Sequence, residues 1–244
     1  LIQQLEGHAP TVSVIIPNGN RCHTVLRAID SALQQTYPAT EILLADDGSI
    51  DDSLSAISRR FPAALARGQL RLMPAEHRGV SQTRNRALSA AHGDWIAYLD
   101  SDNTWHPDHL LLLLYTSLKC QQRPLISYSG RQLFGARISG HRVPVQQFDY
   151  THLRHGNYID LNCIIHHHSL YERAGGFDTN LQRLVDWDLL LRYSDPSLGA
   201  ITQSVNVTTV NYWRSSAHLS NISCTQDWDQ ALTKILTKHK LDLN

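Results

Sequence analysis

Residues 94–103, DWIAYLDSDN, hold a short apolar run that ends abruptly in two carboxylates. Trp95 to Leu99 reads as a buried strand, running straight into Asp100-Ser101-Asp102. The helix pattern just before it, Ser81 to Ala91, is stopped by Gly93, a residue type favoured past a helix C-terminus. Further upstream the alternation repeats. Val12 to Ile16 is a β-branched run closed by Pro17 and Gly19, followed by a helical stripe of Val25, Leu26, Ile29, Ala32 and Leu33 within Thr24 to Gln35. Glu41 to Ala45 is a second strand ending at Asp46-Asp47-Gly48-Ser49, after which Leu54, Ile57 and Phe61 give a helix its apolar face. Leu70 to Met73 supplies a short third strand. Strands alternating with helices imply right-handed crossovers and a mostly parallel central sheet covered by helices on both faces, an α/β fold. Ligands in open sheets of this kind bind beyond the carboxyl ends of the strands. Both acidic clusters lie at such ends.

Beyond residue 103 the pattern is less regular. Strands are expected at Leu125 to Tyr128, Ile159 to Ile165 and Val205 to Tyr212, and helices at Ser169 to Ala174, Asp186 to Tyr193 and Gln226 to His239. The 244 residues fit a single domain, a regular stretch over 11–103 followed by a less regular extension over 104–244. The opening LIQQLEGHAP has no starting Met, which suits a domain cut from a longer chain.

Composition narrows the class. Hydrophobic content of 42% with 18% charged residues is globular. Lys+Arg and Asp+Glu balance at 22 each, which argues against a nucleic-acid partner. Cys22, Cys120, Cys163 and Cys224 are scattered without a C-x-x-C pair, so free thiols in a reducing compartment are expected. The most apolar run, Leu110 to Leu114, is far short of the about 20 residues that a membrane span needs. A cytoplasmic chain is therefore expected, with peripheral association at the inner face of a membrane left open.

Several residues carry chemistry. Asp100 and Asp102 offer hard oxygen ligands to Mg2+ or Mn2+, ions that keep waters and also bind substrate phosphates. A lone D-x-D is weak, since Asp186/Asp188 and Asp227/Asp229 share the spacing. In DDGS, Asp47 can accept the N3–H of a uracil ring, while Ser49 or Asp51 can cap the next helix. His166-His167-His168 is a poor metal site, because neighbouring strand residues point to opposite faces, so surface or acceptor-groove placement is expected. The sequons at Asn206 and Asn221 are read as chance.

Taken together, VSVIIPNGN (12–20), ALQQTYPATEILLADDGSIDDS (32–53) and GVSQTRNRALSAAHGDWIAYLDSDNTWHPDHL (79–110) resemble the nucleotide-binding half of family 2 glycosyltransferases. GGFDTNLQRLVDWDLLLR (175–192) resembles the segment that carries that family's catalytic base. The resemblance implies a GT-A fold and inverting transfer from a nucleotide-sugar, a UDP-sugar by the Asp47 reading, to a glycan or other hydroxyl acceptor. It implies Asp102 as main ligand of Mn2+ or Mg2+, with Asp100 supporting. Pro17, Asp47, Gly79, Arg84, Asp100 and Ser101 would line the nucleotide, Arg84 approaching the diphosphate or bracing the acidic loop. Asp186 would be the base that takes the acceptor proton. Arg214 and His218 fit a late R-x-x-x-H element closing over the metal or diphosphate. Trp187 is left between acceptor platform and core, and Asp188 is expected to be supporting.

Two positions depart from the family's pattern. Asn18-Gly19-Asn20 replaces an aromatic-containing pair after Pro17, and Val185 stands where an acidic residue often precedes the base. They leave two other readings in view: a non-catalytic scaffold that kept the fold, and a nucleotidyltransferase, for which PNGNRCH is a poor phosphate loop.

Overall fold

In the computed structural model, residues 9–135, 138–214 and 228–241 are described. The strands are β1 (Val12–Asn18), β2 (Glu41–Asp46), β3 (Leu70–Met73), β4 (Trp95–Tyr98), β5 (Thr104–Trp105), β6 (Ile126–Gly135), β7 (Ile138–Arg142), β8 (Ile164–His167) and β9 (Thr202–Arg214). The helices are α1 (Cys22–Leu33), α2 (Ser53–Arg60), α3 (Pro62–Ala66), α4 (Val80–Ser89), α5 (His109–Lys119), α6 (Tyr150–His155), α7 (Ser169–Ala174), α8 (Val185–Tyr193) and α9 (Trp228–His239).

One sheet runs β3-β2-β1-β4-β8-β6-β9-β5, with β7 paired to β6. The block β3-β2-β1-β4 is parallel, as its alternation with helices requires. β8 then enters antiparallel to β4, β6 antiparallel to β8, and β9 parallel to β6. Every residue of β1 and β2 is buried, the signature of strands covered on both sides. Side-chain alternation divides the core accordingly. Val12, Val14, Ile16, Ile42 and Leu44 face α1, α2 and α5, whereas Ile15, Leu43 and Ala45 face α4, α7 and α8.

The second half corrects several expectations. Residues 159–163 are not strand: Asp160 accepts the N–H of Asn162 (2.9 Å), folding Leu161–Cys163 into a 3-10 turn before β8 begins. The run Leu110 to Leu114 lies in α5, a core helix in which Leu110, Leu111, Leu113 and Leu114 are buried. The histidine run is not at the surface. β8 lies between β4 and β6, so His166 is fully buried, its Nε2 3.0 Å from the Tyr98 hydroxyl, and burial pushes its pKa down to about 4. His167 and His168 are half-buried and bond to Ser169 and to the Gly93 carbonyl. Cys22, Cys120 and Cys163 are free thiols; Cys224 lies outside the described residues. Among the described residues, no helix is long and apolar enough to cross a membrane.

Candidate active site

Three consecutive residues of α4 hold the chain at the carboxyl ends of β2, β3 and β4 and, besides these, the GGFD loop. Arg84 reaches Asp100 Oδ1 (2.6 Å) after β4, and Arg86 donates to the carbonyls of Asp46 (2.8 Å) and Met73 (2.6 Å) after β2 and β3. Between them, Asn85 exchanges two hydrogen bonds with the backbone of Phe177, fixing the GGFD loop. Arg84 is therefore a buried brace, 7% exposed, and not an outer helix position.

The acidic loop after β4 is asymmetric. Asp100 is held on both oxygens: Arg84 donates to Oδ1, while Asn162 donates to Oδ2 (3.0 Å) and accepts the Asp100 N–H (2.6 Å). The loop closes through Asn103 N–H to the Asp100 carbonyl and is tied to β9 by Trp213 N–H to Asn103 Oδ1 (2.9 Å). Ser101 is buried within it. Among the described residues Asp102 has no comparable partner, and the guanidinium of Arg21 lies 3.9 Å away. Burial, then the neighbouring Asp100 charge, push its pKa up to about 6.

On the β2 side, the two carboxylates divide differently. Asp46 is structural, accepting from Ser49 N–H (2.9 Å), Ser49 Oγ–H (2.6 Å) and Asn18 Nδ2 (2.8 Å). Asp47 accepts the backbone N–H of Arg78 (2.8 Å) and of Gly79 (3.1 Å), with His77 Nδ1 2.8 Å away. Gly79 sits at φ 90°, which a side chain would strain, and that turn aims its N–H at Asp47. Pro17 is buried in β1 beside these loops. Ser49 does not cap α2. Nor does Asp51 in the strict sense, the N-cap being Asp52 without a side-chain bond; Asp51 accepts Ser53 N–H (3.0 Å) on one oxygen and Cys22 N–H (2.9 Å) at the start of α1 on the other. A cavity of about 410 Å³ beside the 75–79 loop is lined by Ala75, Glu76, Arg78, Gln82, Thr83 and Arg86, and by none of Asp47, Asp100, Asp102 and Asp186.

On the opposite wall, α8 begins after Leu184, a left-handed residue at φ 58°. Asp186 lies in its first turn, half-buried, accepting Asn157 Nδ2 (2.9 Å) and Trp187 N–H (2.9 Å). Burial, with the charge of Asp160 next, raises its pKa. Trp187 is core: it is 3% exposed and donates Nε1–H to the Leu153 carbonyl. Asp188 is completely buried. Against the cost of burial, His239, Arg192 and Lys238 hold its carboxyl well below the usual range, at 2.8, 2.9 and 2.7 Å, which fastens α9 to α8.

Sequence reasoning missed the segment that joins these walls. Asp160, Asn162 and Asn157 lie together, with Arg131 3.8 Å from Asp160. Tyr212 stands beside them, its hydroxyl pKa raised by burial and then by Asp160, Asp100 and Asp102. A usable signal existed in 157–163, where polar residues at 160 and 162 alternate with apolar ones at 159, 161 and 163. Of the expected residues, Pro17, Asp47, Gly79, Arg84, Asp100, Ser101 and Asp102 lie at one rim, and Asp186 lies on the facing wall. His218 falls outside the described residues.

The site suits a hard divalent cation in one respect. Asp102 supplies a carboxylate with few hydrogen bonds, desolvated by burial and set beside the charge of Asp100, so a cation there would relieve both costs. Among the described residues, no three His, Cys, Asp or Glu side chains converge on one point.

Residues 13–174 match the family described as Glycosyl transferase family 2, and the chain belongs to that family. It is 29% identical over 194 residues to the chondroitin synthase of Pasteurella multocida (strain Pm70), covering 76% of this chain but 19% of that protein. Over 110 residues it is 36% identical to UDP-Glc:alpha-D-GlcNAc-diphosphoundecaprenol beta-1,3-glucosyltransferase WfgD of Escherichia coli, covering 44% of this chain and 41% of the relative. Among solved structures, S. aureus TarS 1-349 in complex with UDP-GlcNAc aligns with a TM-score of 0.74 at 16% identity, over 96% of this chain and 68% of that one. Mannosyltransferase PcManGT from Pyrobaculum calidifontis, in complex with GDP-Man and Mn2+, aligns with a TM-score of 0.65 at 21% identity, over 86% and 58%. The shared α/β fold is the GT-A fold.

Proposed function

We propose that this family 2 member transfers a sugar from a nucleoside-diphosphate sugar, a UDP-sugar by preference, to a glycan hydroxyl with inversion at the anomeric carbon. One observation carries the reading. An unsaturated carboxylate, Asp102, stands at the end of β4, and a second, Asp186, stands on the facing wall with raised proton affinity. Inverting transfer needs that division: a leaving diphosphate neutralised on one side and a base for the acceptor proton on the other.

Asp102, with Asp100 beside it, would hold Mn2+ or Mg2+, which supplies Lewis-acid stabilisation of the departing diphosphate when bound. Arg84 keeps Asp100 in place, so that the loop meets the donor without reorganising. Asp47 is held by two backbone N–H groups and faces His77, and its remaining lone pairs would accept a uracil N3–H. Asp186 removes the proton from the acceptor hydroxyl as the oxygen attacks. A UDP-sugar donor is favoured by the UDP-GlcNAc of the TarS complex, and a divalent ion by the Mn2+ of the mannosyltransferase complex. Polysaccharide assembly at the inner face of a membrane is the setting we propose.

Calorimetric titration of UDP and UDP-sugars, with and without Mn2+, tests the donor site on wild type and Asp102→Ala. Metal-dependent UDP binding lost in the variant is the expected result. Another nucleotide binding in its place would move the base assignment away from Asp47. No nucleotide binding to folded protein would overturn the reading in favour of a scaffold.

A further inference from the structure

The short segment 157–162 touches both walls of the site. Asn162 is 2% exposed and every hydrogen on its amide is used. Its Nδ2 donates to Asp100 Oδ2 (3.0 Å) and to Asp160 Oδ1 (2.8 Å), while its Oδ1 accepts the Asp100 N–H (2.6 Å). This two-point grip fixes both the backbone and the carboxylate plane of Asp100. Five residues earlier in the chain, Asn157 is exposed and donates Nδ2–H to Asp186 Oδ2 (2.9 Å). Its own Oδ1 accepts the Ile159 N–H (3.2 Å), which orients the amide so that the donor faces Asp186.

The segment is itself anchored. Ile159, Leu161 and Cys163 are buried at 2%, 4% and 1% exposure, and Trp105 Nε1–H donates to the Asn162 carbonyl (2.9 Å). Alternation then turns the polar side chains at 160 and 162 away from that core. Asp160 lies between the two asparagines in sequence, and its charge raises the proton affinity of both Asp102 and Asp186.

We infer that segment 157–162 is a positioning element that sets the donor-side and acceptor-side carboxylates relative to each other, with Asn162 acting on Asp100 and Asn157 acting on Asp186. The inference rests on the glycosyltransferase reading for its functional meaning, though its geometry does not. A segment tied to one wall would only stiffen that wall. Tied to both, it makes the separation of the two acids a property of one anchored turn and not of two independent loops.

Crossed variants test it. A hydrogen bond to a charged group is worth about tenfold or more in an equilibrium. Asn157→Ala is expected to lower kcat by about tenfold while leaving Mn2+-dependent UDP affinity within about twofold. Asn162→Ala is expected to do the reverse on the donor side, weakening Mn2+-dependent UDP binding by about tenfold. Because Asn162 is buried, the isosteric Asn162→Asp serves if the alanine variant does not fold. It keeps the acceptor for the Asp100 N–H and turns an oxygen on both carboxylates.

A third measurement needs no turnover. The carboxyl carbon of Asp186, followed by NMR against pH, reports its own hydrogen bond. The charges bearing on it are Asp160 and Arg84, with the Trp187 N–H and Asn157 as donors. Removing the Asn157 donor is expected to move that midpoint up by about one pH unit, and changing Asn162 to leave it in place. Were wild type to bind no nucleotide, the glycosyltransferase reading would fail while the titration still decided the positioning claim. Variants that shift both readouts alike, or that alter only the thermal midpoint, would overturn the inference.

Discussion

Replacing Asp102 by Asn should make the metal-free protein more stable and at the same time unable to bind nucleotide through metal. The reasoning starts from the raised pKa. Burial and the adjacent Asp100 lift Asp102 from 3.8 to about 6. A carboxylate whose folded-state pKa lies above its unfolded value destabilises the fold once ionised. The penalty is absent below the unfolded value, grows as pH rises from about 4 to about 6, and is constant above that. At 1.36 kcal/mol for each pH unit, the rise corresponds to about 3 kcal/mol, and to about 2 kcal/mol after allowance for the part of Asp102 that meets solvent. For a chain of this size that is about 4–8 °C in Tm. The assay is urea unfolding of wild type and Asp102→Asn in EDTA, from pH 4 to pH 8. The curves should coincide near pH 4 and separate in favour of the variant above pH 6. Adding Mn2+ should then stabilise wild type selectively, by mass action. A variant less stable than wild type at pH 7.5 in EDTA would refute the reasoning, because it would mean that the Asp102 charge is compensated in the free protein.

Other outcomes follow from the same geometry. Asp186→Asn should retain metal-dependent UDP binding and lower kcat by about 100-fold or more, the contribution expected of a general base, as read by steady-state kinetics. Asp188→Ala should cost about 3 kcal/mol in urea unfolding, since it leaves the guanidinium of Arg192 and the ring of His239, both largely shielded from water, without their buried carboxylate, and limited proteolysis should release α9 first. His109 and His166 are held neutral by burial, with pKa values near 3 and 4. Both lie below the unfolded value, so stability should fall as pH drops below 6.5 and level off only beneath those values. Measured in an Asp102→Asn, Asp186→Asn background, where both carboxylates with raised pKa are removed, a flat profile between pH 6.5 and 4 would contradict the burial of these rings.

How far the sequence revealed this site depends on the kind of signal each residue leaves. β3 and α7 have the limits expected from their residues, and β1, β2 and β4 differ only at an end, because a parallel block buried on both faces must be apolar throughout and punctuated sharply. α5 was hidden for the opposite reason. An unbroken run of leucines has no stripe, so nothing in Leu110 to Leu114 marks a helical face, and only the sheet beneath it gives the run a role. Asp100, Asp102, Asp186 and Arg84 were legible by resemblance. Their unequal saturation was not, since it depends on Asn162 and Arg21, which approach from elsewhere in the chain. The run Ile159 to Ile165 reads as a strand, with a period of two over 159–163. Its periodicity was real, but Asp160 takes the Asn162 N–H that a strand would have given to a neighbour.

That substitution of a side-chain acceptor for a ladder partner explains why the two aspartates of D-x-D differ so much here. Once Asp160 has turned the chain, Asn162 faces Asp100 and not an adjacent strand, and Asp100 becomes a fixed point held from α4 on one side and from the turn on the other. A carboxylate gripped on both oxygens has little freedom to follow a ligand, but it holds its own loop rigid. Asp102, two residues on, inherits that rigidity without the hydrogen bonds that cause it, and so remains desolvated, poorly compensated and available. A loop in which both acids were saturated would be stable and chemically inert, whereas one in which neither was would be repelled apart by its own charge. Dividing the roles between Asp100 and Asp102 lets the rim stay preorganised at the cost of one unfavourable charge, whose removal the Asp102→Asn experiment measures.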